Sequence, residues 1–165
     1  MRTFNDGAGR TWTVALNLNA VKRVKSLLEV NLLELDQGTP PLLTRLDTDL
    51  ILLCDVIYCV VKPEADALKV SDEDFGRALG GDAILAAHNA LMEELGDFFR
   101  QLGRSHLAKA IGVQGRMVSL AVQKIERKLD AVDPEAETEK MFEPAKTPGN
   151  SSTNSPESSD LTQGP

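Results

Sequence analysis

Three consecutive carboxylates, Asp72, Glu73 and Asp74, are a possible metal site, because carboxylate oxygens are the ligands that Ca²⁺ and Mg²⁺ prefer. A calcium-binding loop, however, spaces its acids as Asp-x-Asp-x-Asp-Gly so that they converge on the ion. Here the trio follows Ser71 and precedes the apolar Phe75, which is the order typical of a helix capped by a serine. Acidic residues in the first turn are stabilised by the positive end of the helix dipole. We therefore interpret the trio as the start of a helix, and we predict no metal site.

Histidine is the usual residue for acid–base chemistry near neutral pH, and the chain has two, His88 and His106. Asp82 and Glu94 each lie six residues from His88, so neither shares a helical face with it. The zinc-binding pattern His-Glu-x-x-His and the nucleophile motif Gly-x-Ser-x-Gly are both absent from the sequence. We therefore predict that both histidines are ordinary helical residues, and that the protein is not an enzyme and uses no cofactor.

Residues 7–11, Gly-Ala-Gly-Arg-Thr, are a candidate phosphate-binding loop, because glycine-rich loops can place backbone N–H groups around a phosphate. The segment lacks the pattern Gly-x-x-x-x-Gly-Lys-Ser/Thr. It also precedes a predicted strand, whereas a phosphate loop precedes a helix. Residues 7–11 are therefore interpreted as a hairpin turn.

The two cysteines, Cys54 and Cys59, lie five residues apart in one apolar run. On a helix they point about 140° apart at ~100° per residue, so they can form neither a local disulfide nor a pair of metal ligands. We predict reduced thiols in a cytoplasmic protein. The run itself, residues 50–61, contains Asp55 and is too short to span a bilayer, and residues 1–12 have no apolar signal segment. A soluble protein without a membrane partner is expected.

The charge of the chain is concentrated at its end. Of the net charge of −7, residues 133–165 contribute −5, with seven acidic residues against two lysines. These residues also contain five of the eight prolines and few apolar side chains, a composition that predicts a disordered acidic Ser/Pro-rich tail. Residues 1–132 can build one core, and they lack a basic face that could neutralise a row of phosphates, so we predict no nucleic-acid partner. The basic cluster at residues 22–25 is interpreted as a solvated helix face.

The elements that position these residues begin with a hairpin over residues 2–16, because Asp6-Gly7 between two β-prone runs is a good turn signal. An isolated ribbon is marginally stable, and we expect it to pack on the first helix. That helix is predicted to begin with Asn19 as its cap and to end near Val30. Its predicted apolar stripe is Ala20, Val21, Val24, Leu27 and Leu28.

Four further helices are predicted. The second begins near Asp47 or Thr48, is stopped by Pro63 and forms the centre of the core. Ser71 and Asp82 then cap two helices in succession, separated by the glycines at 80–81. The last helix runs from about residue 105 to residue 129. The predicted fold class is mainly α: a compact helical domain of about five helices at 1–132 with an N-terminal β-hairpin, and a disordered C-terminal tail at 133–165.

The last helix is the candidate partner-binding element. Its apolar residues step by roughly 3.5 positions, as expected for one helical face. The candidate partner-binding residues are Leu107, Ile111, Val118 and Ile125. This face can be buried either against the core of the protein or against a helix of a partner, and the periodicity supports both.

Taken in order, these elements resemble those of phage tail assembly chaperones, small helical proteins encoded just before the tape measure protein in long-tailed phages and prophages. The ribbon at residues 2–16 leads into residues 19–35, where a helix ends in a hydrophobic, polar, Leu-Leu pattern similar to that family's first helix. Residues 42–61 look like the family's short leader, aspartate cap and buried helix. Residues 71–75 and 82–99 are similar to the capped helix and the long helix that follow.

The resemblance, which covers residues 2–130, implies a non-catalytic function. Such a chaperone binds tape measure and tail tube proteins, keeps them soluble and leaves before the tail is complete. In such systems a translational frameshift often extends the gene's end, and the Ser/Pro/acid-rich tail is compatible with this. Two alternatives stay open: a structural phage component such as a head–tail connector or completion protein, and a small regulatory protein-binding module. The latter is expected to have a basic recognition helix, whereas the basic cluster here lies on the first helix.

Overall fold

A computed structural model describes residues 1–130, which form a two-stranded hairpin followed by six helices. The elements are β1 (Arg2–Asn5), β2 (Thr11–Val14), α1 (Leu18–Leu28), α2 (Leu42–Thr48), α3 (Leu50–Leu68), α4 (Asp72–Ala78), α5 (Asp82–Gln101) and α6 (Ser105–Asp130). The predicted mainly α class with an N-terminal hairpin is confirmed. The predicted disordered tail at 133–165 lies outside the described residues. The chain divides into two units, residues 1–122 and 123–165. Of the second unit, the structure describes only residues 123–130, the last eight residues of α6.

The hairpin is antiparallel, and its register places Phe4 opposite Trp12 and Arg2 opposite Val14. Phe4, Trp12 and Val14 are buried on one face, as the alternation of a half-buried strand pair requires. The face packs on α5 through β1 and on α3 through β2, so the predicted packing on the first helix is wrong. Helix α1 packs on α3 instead. The hairpin and α1 thus bury their apolar sides against α3 and α5, the two helices with the most buried residues.

A single aspartate organises the hairpin turn. The buried Asp6 carboxylate accepts hydrogen bonds from the backbone N–H groups of Ala8 and Arg10, both at 2.9 Å. It also accepts one from Arg10 Nε at 2.6 Å and one from Trp12 Nε1 at 2.9 Å. Burial by itself would raise the pKa of Asp6, but the hydrogen bonds from Trp12 and Arg10 outweigh burial and hold that pKa below its usual value. The ionised carboxylate therefore fixes both the turn and the indole.

Helix α1 begins two residues earlier than predicted. Asn17, not Asn19, is its N-cap: the Asn17 side chain accepts a hydrogen bond from Ala20 N at 2.9 Å. Asn19 lies inside the helix, since the extended backbone that an N-cap needs occurs at Asn17. The predicted stripe is buried at Ala20, Val21 and Val24, whereas Leu27 is 54% exposed.

The central segment folds as two helices rather than one. The short α2 was not predicted as a helix. Helix α3 begins after Asp49, whose Oδ1 accepts hydrogen bonds from the backbone N–H groups of Ile51 and Leu52 at 3.1 and 3.0 Å. The predicted start at Asp47 or Thr48 is therefore slightly too early. Helix α3 does lie at the centre of the core, as expected, and buries seven residues.

Pro63 does not stop α3, which continues through it to Leu68. Proline has no N–H, so the carbonyl of Cys59, four residues earlier, loses its main-chain donor. The Arg23 guanidinium replaces that donor: Nε donates to Cys59 O, and Nη2 donates to Val60 O at 2.9 Å. Arg23 is half-buried, so the predicted solvated face is wrong at this position, although Lys22 is exposed.

The two helices of residues 70–99 differ in how they begin. Ser71 caps α4 as predicted, because its Oγ accepts a hydrogen bond from Asp74 N at 3.1 Å. The predicted cap Asp82 is instead the first residue of α5, and Gly81 is the N-cap without a side-chain hydrogen bond. Gly81 has a φ of 57°, a conformation that glycine adopts at little cost. Gly81 therefore occupies the cap position that the sequence analysis assigned to Asp82.

Candidate partner-binding surface

Helix α6 leaves the core part of the way along its length. Leu107 and Ile111 are buried, at 6% and 7% exposure. Between residues 112 and 121, only Gln114 is half-buried and the other residues are exposed. Of the four candidate partner-binding residues, Leu107 and Ile111 therefore belong to the core, and Val118 and Ile125 are exposed. Partner binding stays a prediction for these four positions.

Three polar side chains connect α6 to the rest of the first unit. Asp47 at the end of α2 lies 2.7 Å from His88 on α5, measured from Oδ1 to Nε2. The other oxygen of Asp47 accepts a hydrogen bond from Gln114 on α6. We call these three residues the Asp47 cluster. Helical spacing does not predict this cluster, because Asp47 lies on another helix, 41 residues before His88. The one available signal was Gln114, a polar residue within the apolar stripe of α6.

An aspartate–histidine pair also orients the base of a catalytic triad, which in addition requires a nucleophile hydrogen-bonded to the histidine. Ser119 lines the same cleft as Asp47 and His88. Its hydroxyl donates to Gly115 O of its own helix at 3.0 Å, and no hydrogen bond joins it to His88 within residues 1–130. The observed contacts of the Asp47 cluster join α2, α5 and α6.

A cleft of about 200 Å³ lies next to the Asp47 cluster, between the start of α3 and helices α5 and α6. Its rim contains Leu50, Leu85 and Val118, which are 57%, 61% and 44% exposed. The volume is below the roughly 300–1,000 Å³ that is usual for small-molecule sites. The aliphatic rim makes this cleft a candidate for contact with apolar side chains of another protein.

A second apolar face lies on the outer side of α6. Val113, Met117 and Leu120 are 40%, 64% and 65% exposed. Their spacing of i, i+4 and i+7 places them on one side of the helix, and we call this set the outer stripe. The sequence interpretation assigned α6 a single apolar face and missed the outer stripe. The available signal was that α6 has apolar residues on both sides, which is typical of a helix covered on both sides.

The Cys54 thiol on α3 is half-buried. Burial, followed by the charges of Asp55 and Asp72, raises the pKa of Cys54 to about 11, so its sulfur is a thiol at neutral pH.

Within residues 1–130, no group of three His, Cys, Asp or Glu side chains is arranged to hold a metal ion. No helix in the same range combines the length and the apolar character needed to cross a membrane.

The candidate surface thus has two parts, the cleft beside the Asp47 cluster and the outer stripe of α6. No protein-family model, curated protein or solved structure matches the chain. The geometry of this surface and the order of the elements are therefore the basis for a function.

Proposed function

We propose that this protein is a non-catalytic tail assembly chaperone of a phage or prophage. It binds the tape measure and tail tube proteins in the cytoplasm of the bacterial host during tail morphogenesis. The observation that supports this proposal is the exposed apolar surface of α6 beyond Ile111. The resemblance of residues 2–130 to tail assembly chaperones supplies the identity of the partners.

Exposed apolar side chains on a helix that is fixed at one end are suited to binding another helix. Leu107 and Ile111 fix the start of α6 to the core, and Gln114 adds a hydrogen bond to Asp47. The following residues expose apolar surface, and removing such surface from water lowers the free energy by about 25 cal/mol per Å². A chaperone needs such a surface, because it must cover apolar segments of its client until those segments assemble.

The composition of purified particles tests this function against the structural alternative. A chaperone leaves before the tail is complete, so mass spectrometry of purified particles of the encoding phage should find the tail tube protein but not this chain. A lysate of the same infected cells, taken before lysis, should contain the chain and serves as the control. A stoichiometric amount in the particles would identify a head–tail connector or completion protein instead.

A further inference from the structure

We propose that the outer stripe binds an amphipathic helix that carries carboxylates along one edge of its apolar face. This inference rests on the proposed function and specifies the chemical nature of the partner segment. The outer stripe, Val113, Met117 and Leu120, supplies the apolar contact. The charges beside it determine which helix fits.

The charge on this part of α6 is entirely positive. Residues 105–122 contain Lys109 and Arg116 but no aspartate or glutamate, in a chain whose net charge is −7. Both side chains are exposed. Within the described residues, neither takes part in an ion pair. Two cations beside an exposed apolar stripe are complementary to a partner of opposite charge.

The positions of the two cations indicate where the partner's acids lie. Lys109 and Arg116 are seven residues apart, so they occupy the same edge of the outer stripe, separated by about 10 Å along the helix axis. The opposite edge has the small residues Ala110 and Ala121, which allow the backbone of another helix to approach closely. The matching helix therefore has two carboxylates about two turns apart on the edge that faces Lys109 and Arg116.

The same charges disfavour a second copy of the chain as the occupant. In an antiparallel pair of outer stripes, Lys109 and Arg116 of one copy would lie near those of the other, and like charges in a contact are destabilising. In a parallel pair they would face the alanine edge of the other copy and gain no counter-charge. An acid-edged helix removes this repulsion and gains two ion pairs. We therefore favour it as the occupant.

Two designed peptides test the proposal with the full-length protein. Each is a helical peptide of about 20 residues with leucines spaced to match the outer stripe. One peptide has two glutamates seven positions apart on one edge, and the other has lysines at the same positions. Fluorescence anisotropy at low salt should show that the glutamate peptide binds about tenfold more tightly than the lysine peptide. At high salt the difference should shrink, because added ions screen exposed charges.

Variants show which surface the peptide binds. Replacing Met117 and Leu120 together by serine should weaken binding of the glutamate peptide at least about tenfold. Leu27→Ser is the control, because Leu27 is also more than half exposed but lies on α1, and this variant should bind the glutamate peptide as the native protein does. Reversing both cations, Lys109→Glu with Arg116→Glu, should make the lysine peptide the tighter ligand.

Several results would overturn the inference: no binding of the glutamate peptide, equal binding of both peptides, or unchanged binding by the serine variant. Self-association of the free protein that is lost in the serine variant would also overturn it, since a second copy would then cover the stripe. Failure of the proposed function has a different signature. The protein would be found in purified particles whether or not the peptide binds to α6.

Discussion

Asp6→Ala should lower the free energy of unfolding by about 3 kcal/mol at neutral pH, because it leaves several donors unsatisfied in or near the core. The carboxylate accepts hydrogen bonds from four N–H groups of Ala8, Arg10 and Trp12. The Trp12 side chain is fully buried, so its indole N–H cannot turn to water when the acceptor is removed. Urea denaturation followed by circular dichroism measures the loss. Asp36→Ala, at an exposed aspartate, is the control and should change stability by less than about 0.5 kcal/mol.

The stabilisation of the fold by the Asp6 carboxylate should be lost in acid. Its pKa is lower in the folded protein than the usual value of 3.8, so the stabilisation is fully present above pH 3.8. It is lost as the pH falls through the folded pKa, when the native carboxyl also binds a proton. The stability difference between the native protein and Asp6→Asn should therefore be constant near neutral pH and shrink in acid. A difference that stays constant in acid would show that the charge of Asp6 contributes nothing.

Arg23→Ala should lower the free energy of unfolding by about 2 kcal/mol, since the carbonyls of Cys59 and Val60 then lose their charged donor. Lys22→Ala is the matched control: it removes a neighbouring positive charge that is exposed, and its effect should stay below about 0.5 kcal/mol. Equal effects of the two substitutions would restore the interpretation of residues 22–25 as a solvated face.

The proline gives this prediction a second, sharper test. Pro63→Ala supplies an N–H that can donate to Cys59 O within α3, so Arg23 becomes less necessary. In the Pro63→Ala background, the cost of Arg23→Ala should fall by roughly half, which appears as a coupling energy in a double-mutant cycle. Strictly additive effects would contradict the function assigned to the Arg23 guanidinium.

Local signals predicted those parts of the fold that depend on neighbouring residues. The Asp6-Gly7 turn and the Ser71 cap each require only a few consecutive residues, and both are present. The rule that proline ends a helix failed at Pro63, because the compensating donor, Arg23, lies 36 residues before Cys59. Only the packing of α1 against α3 brings the two together, and periodicity does not specify which helices pack against each other.

The candidate surface was harder to predict for the same reason. The spacing of Leu107, Ile111 and Val118 shows which residues share a face of α6, but not where that face leaves the core. The structure places this point after Ile111. The pairing of His88 with Asp47 connects two helices through residues that carry no sequence motif, so only the tertiary arrangement reveals it.

The central claim is that this protein binds and solubilises a tape measure protein, and co-expression tests it most directly. The tape measure protein encoded by the same phage should be largely insoluble when expressed alone. Together with this chain it should become soluble, and the two should elute as one complex in size-exclusion chromatography. If the tape measure protein stays equally insoluble and no complex elutes, the proposed function is wrong.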